Sequence, residues 1–180
     1  MRRTLCLLLA MTALFSLLSA CSKENAETEP SSTPAPVSAK AETTAAELVS
    51  GEHFAIERAS GWESGKSQNA VQQKGSTAQM DLITLGNLEP DPLAYLQKFH
   101  DTCRDSGLGK NLSAVKAVAI RGIGGAYFQF EDTISQEGTI KGIYCLNKNK
   151  KTYLITCWAV GWEDFNQADF PALIGQIQFE

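Results

Sequence analysis

The chain has 180 residues, with 16 Lys and Arg against 20 Asp and Glu and a formal net charge of −4. That balance leaves no electrostatic footprint for nucleic acid, and two histidines are too few for most metal or triad sites without carboxylate help. After Leu18 no stretch is apolar for long enough to span a bilayer.

Arg2 and Arg3 give a positive start, and Leu5 to Leu18 is almost unbroken apolar sequence. At about 1.5 Å per residue that stretch reaches roughly 21 Å, short of the ~30 Å hydrocarbon core. A cleaved signal is therefore favoured over a membrane span. The run Leu18-Ser19-Ala20-Cys21 resembles the lipobox of bacterial lipoproteins. An ordinary secretory site prefers a small residue where Leu18 stands. The resemblance implies that residues 1–20 are a removed signal peptide, that the Cys21 thiol is diacylglycerylated and that the new amino group is acylated. Three acyl chains make dissociation negligible, since each buried methylene contributes about 0.8 kcal/mol. Ser22 follows where Asp would resemble an inner-membrane retention signal. The expected location is the outer membrane, lipid-anchored, on its periplasmic face.

From Cys21 to Glu47 the composition turns to Ala, Glu, Ser, Thr and Pro, without one aromatic residue and with Pro30, Pro34 and Pro36 as helix breakers. Such a segment buries too little apolar surface to offset its ordering entropy. It reads as a tether with a root-mean-square reach of roughly 25–30 Å.

Residues 48–180 have the size of one domain with a core of its own. Within them 12 Lys and Arg stand against 15 Asp and Glu. Phe54 and Ile56 alternate with polar neighbours and predict a first strand ending near Ser60-Gly61. Ala78, Met80 and Leu82 predict a second, over Thr77–Leu85. Asp91-Pro92 supplies an N-cap acceptor and a proline at the first helical position. Leu93, Leu96, Phe99 and Cys103 then share one helical face, and Gly107 closes the helix in a left-handed cap. Four more strands are predicted over Ala114–Ile120, Ala126–Glu131, Thr139–Leu146 and Thr152–Val160. Asn147–Lys151 forms the tip of an antiparallel hairpin. Trp162–Phe179 fits one or two short helices interrupted at Pro171 and docked on the sheet. The fold class is α+β, with a largely antiparallel sheet of about six strands flanked by helices.

Gly61-Trp62-Glu63, a strand, then Asp91-Pro92-Leu93-Ala94-Tyr95-Leu96 resemble the front half of PsbP-like domains. Lys151-Thr152-Tyr153-Leu154-Ile155-Thr156, followed by Asp164-Phe165 and a terminal Ile177-x-Phe179, resemble the back half. The usual proline before Gly-Trp is here Ser60. Such domains include the extrinsic photosystem II subunit, a nuclear Ran-binding factor and bacterial envelope lipoproteins. The resemblance covers most of residues 52–180 and implies an α/β/α sandwich with a binding or scaffolding role. It implies no shared active site.

With Cys6 removed and Cys21 lipidated, Cys103, Cys145 and Cys157 remain in a compartment that permits disulfides. A tight hairpin tip sets Cys145 opposite Tyr153 or Leu154, so Cys157 lies three or four residues further on, roughly 10–13 Å away. A disulfide needs Cα atoms within about 7 Å, which disfavours Cys145–Cys157. A Cys103 disulfide to Cys145 or Cys157 is the first expectation; three buried reduced thiols are the alternative.

Catalytic motifs are incomplete. Gly61-Trp62-Glu63-Ser64-Gly65-Lys66-Ser67 has three residues where a phosphate-binding loop needs four, and no apolar helix follows. Ser113-Ala-Val-Lys116 matches Ser-x-x-Lys, but on a predicted strand and without its companion motifs. Glu131-Asp132 point to opposite faces of a strand, and Glu163-Asp164 suit the start of a helix through its dipole. His100 reads as a half-exposed surface group.

Two features could meet a partner: the basic tip Lys148, Lys150 and Lys151, facing lipid phosphates, lipopolysaccharide or an acidic protein, and the aromatic pair Trp158 and Trp162. Both also have plain readings, as a solvated hairpin tip and as core under the final helix.

The sequence thus describes a membrane-anchored, non-enzymatic envelope lipoprotein that binds an unidentified envelope protein in assembly or maintenance of the cell surface, with no cofactor and no metal. A small-molecule or lipid-binding module would instead need a cavity above ~300 Å³. A hydrolase would need a catalytic cluster around His53 or His100.

Overall fold

The computed structural model describes residues 47–57, 60–86 and 91–180. The signal peptide, Cys21 and nearly all of the expected tether lie outside the described residues. In chain order the elements are β1 (Glu47–Gly51), β2 (Phe54–Glu57), β3 (Trp62–Ser64), β4 (Ala70–Gln73), β5 (Gln79–Thr84), α1 (Pro92–Asp105), β6 (Gly109–Lys110) and β7 (Lys116–Ile120). They continue with β8 (Ile123–Asp132), β9 (Thr139–Lys148), β10 (Lys151–Val160), α2 (Trp162–Gln167), α3 (Phe170–Ile174) and β11 (Ile177–Phe179). The main sheet runs β3-β4-β5-β10-β9-β8-β6, with β7 also paired to β8, and a small sheet runs β1-β2-β11. The pairings are antiparallel throughout.

β9 is buried on both faces from Gly142 to Leu146, and β10 is buried on one face and half-buried on the other, so their apolar residues do not simply alternate with polar ones. On one face Met80, Leu82, Tyr144, Leu146, Tyr153 and Ile155 pack under α2, α3 and the small sheet. On the other, Ala126, Phe128, Phe130, Ile143 and Cys145 pack under Leu96 and Cys103 of α1. The sheet is thus flanked by helices on both sides.

Local chemistry explains α1 fully. The Asp91 carboxylate accepts from the Leu93 amide at 3.0 Å, with Pro92 following it. At the other end Gly107 takes φ 69°, the Leu108 amide donates to the Cys103 carbonyl and the Gly107 amide to that of Arg104. These two bonds define a Schellman motif.

Several expectations need correction. The main sheet has eight strands where about six were expected, because β3, β4 and β6 are two to four residues long. The first predicted strand, at Phe54 and Ile56, belongs to the small sheet instead. Pro171 does not interrupt a helix: it sits in the first turn of α3, where its missing N–H costs nothing. Ile177–Phe179 is a strand paired with β2, not helix. Asp164 does more than favour α2 through its dipole; it reaches across to accept from the Thr77 hydroxyl at 2.6 Å and the Thr77 amide at 2.9 Å.

Candidate functional site

Hydrogen-bond register places Tyr127 of β8 directly opposite Tyr144 of β9, with ring centroids 4.3 Å apart. The Tyr127 hydroxyl donates to Gln129 Oε1, two residues along the same face. Burial pushes both phenols well above the ordinary tyrosine value, and the nearby Cys157 thiol adds to the rise. Both therefore remain protonated at neutral pH. Phe165, Asp169 and Phe170 of the α2–α3 turn stand over this pair and leave a partly open cleft of about 460 Å³. Asp169 holds a left-handed backbone (φ 44°, ψ 52°), and its carboxylate accepts from the Ala172 amide at 3.3 Å. Gly142 lets two of the lining rings come together: a Cβ there would lie 2.9 Å from Phe165 Cζ and 3.0 Å from Tyr127 Cε2. The cleft offers hydrogen-bonding phenols, an amide and a carboxylate over an aromatic floor.

Sequence reasoning did not single out this cleft. Tyr127 and Tyr144 become neighbours only through strand register, and the sole signal was Tyr127-x-Gln129 on one face of an alternating strand.

The predicted partner surface is not one surface. Lys148, Lys150 and Lys151 occupy one end of the β9–β10 hairpin, and Trp158 is seven residues further along β10, roughly 23 Å away at about 3.3 Å per residue. Trp158 is half-buried on the α1 side of the sheet, its Nε1 donating to Asp81 Oδ2 at 3.3 Å. It lines a second cleft of about 360 Å³ with Ser135, Thr139 and Lys141. Trp162 begins α2 on the opposite face, exposed, with its ring edge on Phe165 and its Nε1 donating to Glu131 Oε1 at 3.2 Å. Reading Trp158 as core under the final helix therefore fails.

The expected Cys103 disulfide is not formed. Cys103, Cys145 and Cys157 are all free and buried. Cys145 lies opposite Leu154, as the hairpin predicted. Cys157 faces the other core, away from Cys103, so the sheet itself separates that pair.

The remaining candidates take structural partners. Ser113 accepts from the Gln129 amide at 2.9 Å, while Lys116 Nζ lies 5.4 Å from the Tyr127 ring centroid. His53 lies 3.5 Å from Glu52 and 3.7 Å from Glu180, and His100 3.3 Å from Asp101. Gly61–Ser67 contributes β3 and the turn towards β4. Glu131 and Asp132 diverge as expected, Glu131 to Trp162 and Asp132 to Lys141. Among the described residues, no group of three His, Cys, Asp or Glu is placed to hold a metal ion, and no helix is long and apolar enough to cross a membrane.

No protein-family model matches the chain, and no curated protein matches it significantly. Among solved structures it is similar to the solution structure of cyanobacterial PsbP (CyanoP) from Synechocystis sp. PCC 6803. The identity is 10% and the TM-score 0.44, over 71% of this chain and 87% of that one. A likeness at this level carries no functional argument. The antiparallel α+β class rests on the sheets and helices themselves.

Proposed function

We propose that this chain is an envelope lipoprotein, held in the outer membrane by acyl groups on Cys21, whose folded body recognises a protein partner without catalysing a reaction. The observation that carries the reading is the Leu18–Cys21 run at the end of a short apolar segment, followed by a Pro- and Ala-rich stretch and the compact unit Glu42–Glu180. His53, His100 and Ser113 bond to separate neighbours (Glu52 and Glu180, Asp101, and the Gln129 backbone amide), and this lack of a shared nucleophile–base cluster among the described residues supports recognition over chemistry.

In the native host, the wild-type protein should incorporate labelled palmitate and fractionate with outer membranes, and Cys21→Ser should lose the label. An unlabelled wild type would refute the anchor. Photocrosslinking from exposed positions of the body should yield one discrete protein adduct; adducts spread over many proteins would refute specific recognition.

A second reading, a small-molecule module, is favoured by the Tyr127–Tyr144 cleft, whose volume of about 460 Å³ exceeds the expected minimum. A ligand seated there raises Tm in proportion to RT ln(1 + [L]/Kd). If Asn166→Trp, a bulky change at an exposed cleft-lining position, kept the full shift, the cleft would be excluded as its site.

A further inference from the structure

The β9–β10 hairpin turns through Asn149 and Lys150, both in left-handed backbone with φ 51° and 61°. Two such residues make a type I′ turn, in which the second position favours glycine; a lysine stands there instead. Lys148 and Lys151 are directly paired across the two strands. Like charges so placed repel one another. Lys148 and Lys150 are exposed and Lys151 half-buried, and among the described residues none of the three has an ion-pair partner. The carboxylates of Glu52 and Glu180, at the same end of the body, turn towards His53. Asn149 Nδ2 donates to the Phe179 carbonyl at 3.4 Å and ties the tip to the C-terminal strand. The lysine at the second turn position and the Lys148–Lys151 pair both work against local stability, while the Asn149 bond fixes the place where their charge is concentrated. Local rules are broken in this way where function requires it.

The geometry points to this tip, Lys148, Lys150 and Lys151, as a docking surface for the phosphate headgroups of the anionic leaflet that holds the Cys21 acyl chains. The inference rests on the lipoprotein reading, which puts the body within reach of that leaflet. Charge complementarity selects the occupant: without residues 1–20 the chain keeps 14 Lys and Arg against 20 Asp and Glu and is repelled as a whole by an anionic surface, and the three-lysine tip is its local exception.

The test uses the chain from Ser22 onward, which keeps both hydrophobic cores whole. It should cosediment with phosphatidylcholine vesicles only when about a third of the lipid is phosphatidylglycerol, at low salt, and be released near 0.5 M salt. Combined Lys148→Gln, Lys150→Gln and Lys151→Gln should weaken partitioning about 100-fold, at roughly five-fold per lysine, while Lys66→Gln leaves it unchanged. The triple variant should melt no lower than the parent, because like-charge repulsion is relieved. Equal binding to neutral vesicles, no binding, or binding unaffected by the triple change would overturn the inference. So would a crosslink from Asn149 to an acidic protein instead of lipid. Palmitate labelling of Cys21 separates the two failures: label without vesicle binding sinks the docking surface alone, and absence of label sinks the anchor beneath it.

Discussion

Cys145 lies in β9 with its thiol packed beneath α1, and burial, reinforced by the Asp91 carboxylate at the helix N-cap, pushes its pKa up to about 11. Burial also raises Cys103, with Asp132 adding to the rise and Lys141 opposing it. Cys157, fully enclosed on the other face, is also raised well above the ordinary thiol value by burial, with the Asp81 carboxylate adding to the rise. Only the thiolate reacts, and an unperturbed thiol is half ionised near pH 8.5. These three should therefore stay inert to alkylating reagents in the native protein through about pH 9. Unfolding the chain from Ser22 onward without reductant should then release three reactive thiols, from Cys103, Cys145 and Cys157. Titration of one thiol only would mean that a disulfide forms after all.

At the scale of elements, what could be read ahead depended on how local its cause is. Helix α1 was legible in its ends and in most of its apolar face because Asp91, Pro92, the spacing of Leu96, Phe99 and Cys103, and Gly107 each act within a turn of their own position, whereas Leu93, read on the same face, is exposed. The long strands β8, β9 and β10 were legible from their apolar content, and the basic hairpin tip from its turn residues. Strands β3, β4 and β6 are too short to show alternation. β11 exists only because β2 accepts it. The tyrosine cleft follows from register, which no single segment encodes.

The β8–β9 loop is another such non-local feature. Asp132 accepts from the Ile134 amide at 3.1 Å and from the Ser135 hydroxyl, and Lys141 Nζ lies 2.6 Å away. Burial alone would raise the Asp132 pKa, but the Lys141 ammonium, the Ser135 hydroxyl and the Ile134 amide together hold it below the usual carboxylate value. A depressed folded-state pKa contributes stability that is present above the unfolded value of about 3.9 and is lost as pH falls through the folded value. Asp132→Asn should cost about 1–3 kcal/mol at pH 7. Its stability curve should also be flatter than the parent's between about pH 2 and 5. Urea melts across that range give both quantities, and parallel curves for the two proteins would remove Asp132 as the source.

On the scale of the whole body, one sheet serves as the wall of two cores. Adjacent residues of the same strand face opposite layers: Tyr144 and Leu146 meet α2, α3 and the small sheet, while Ile143 and Cys145 meet α1. Neither layer keeps its apolar face covered if the sheet comes apart, so the two should melt together. Leu96→Ala empties part of the α1 layer and Ile155→Ala part of the other, both at fully buried positions. Each should lower stability by about 2–5 kcal/mol. Because the sheet stands between the two sites, the double change should equal the sum within about 0.5 kcal/mol. The transition should stay single, with far-UV and near-UV circular dichroism tracing the same curve. If the α1 variant instead showed an early step that left the Tyr127–Tyr144 signal intact, the layers would be separate cooperative units. The α1 side could then open while the cleft stayed folded.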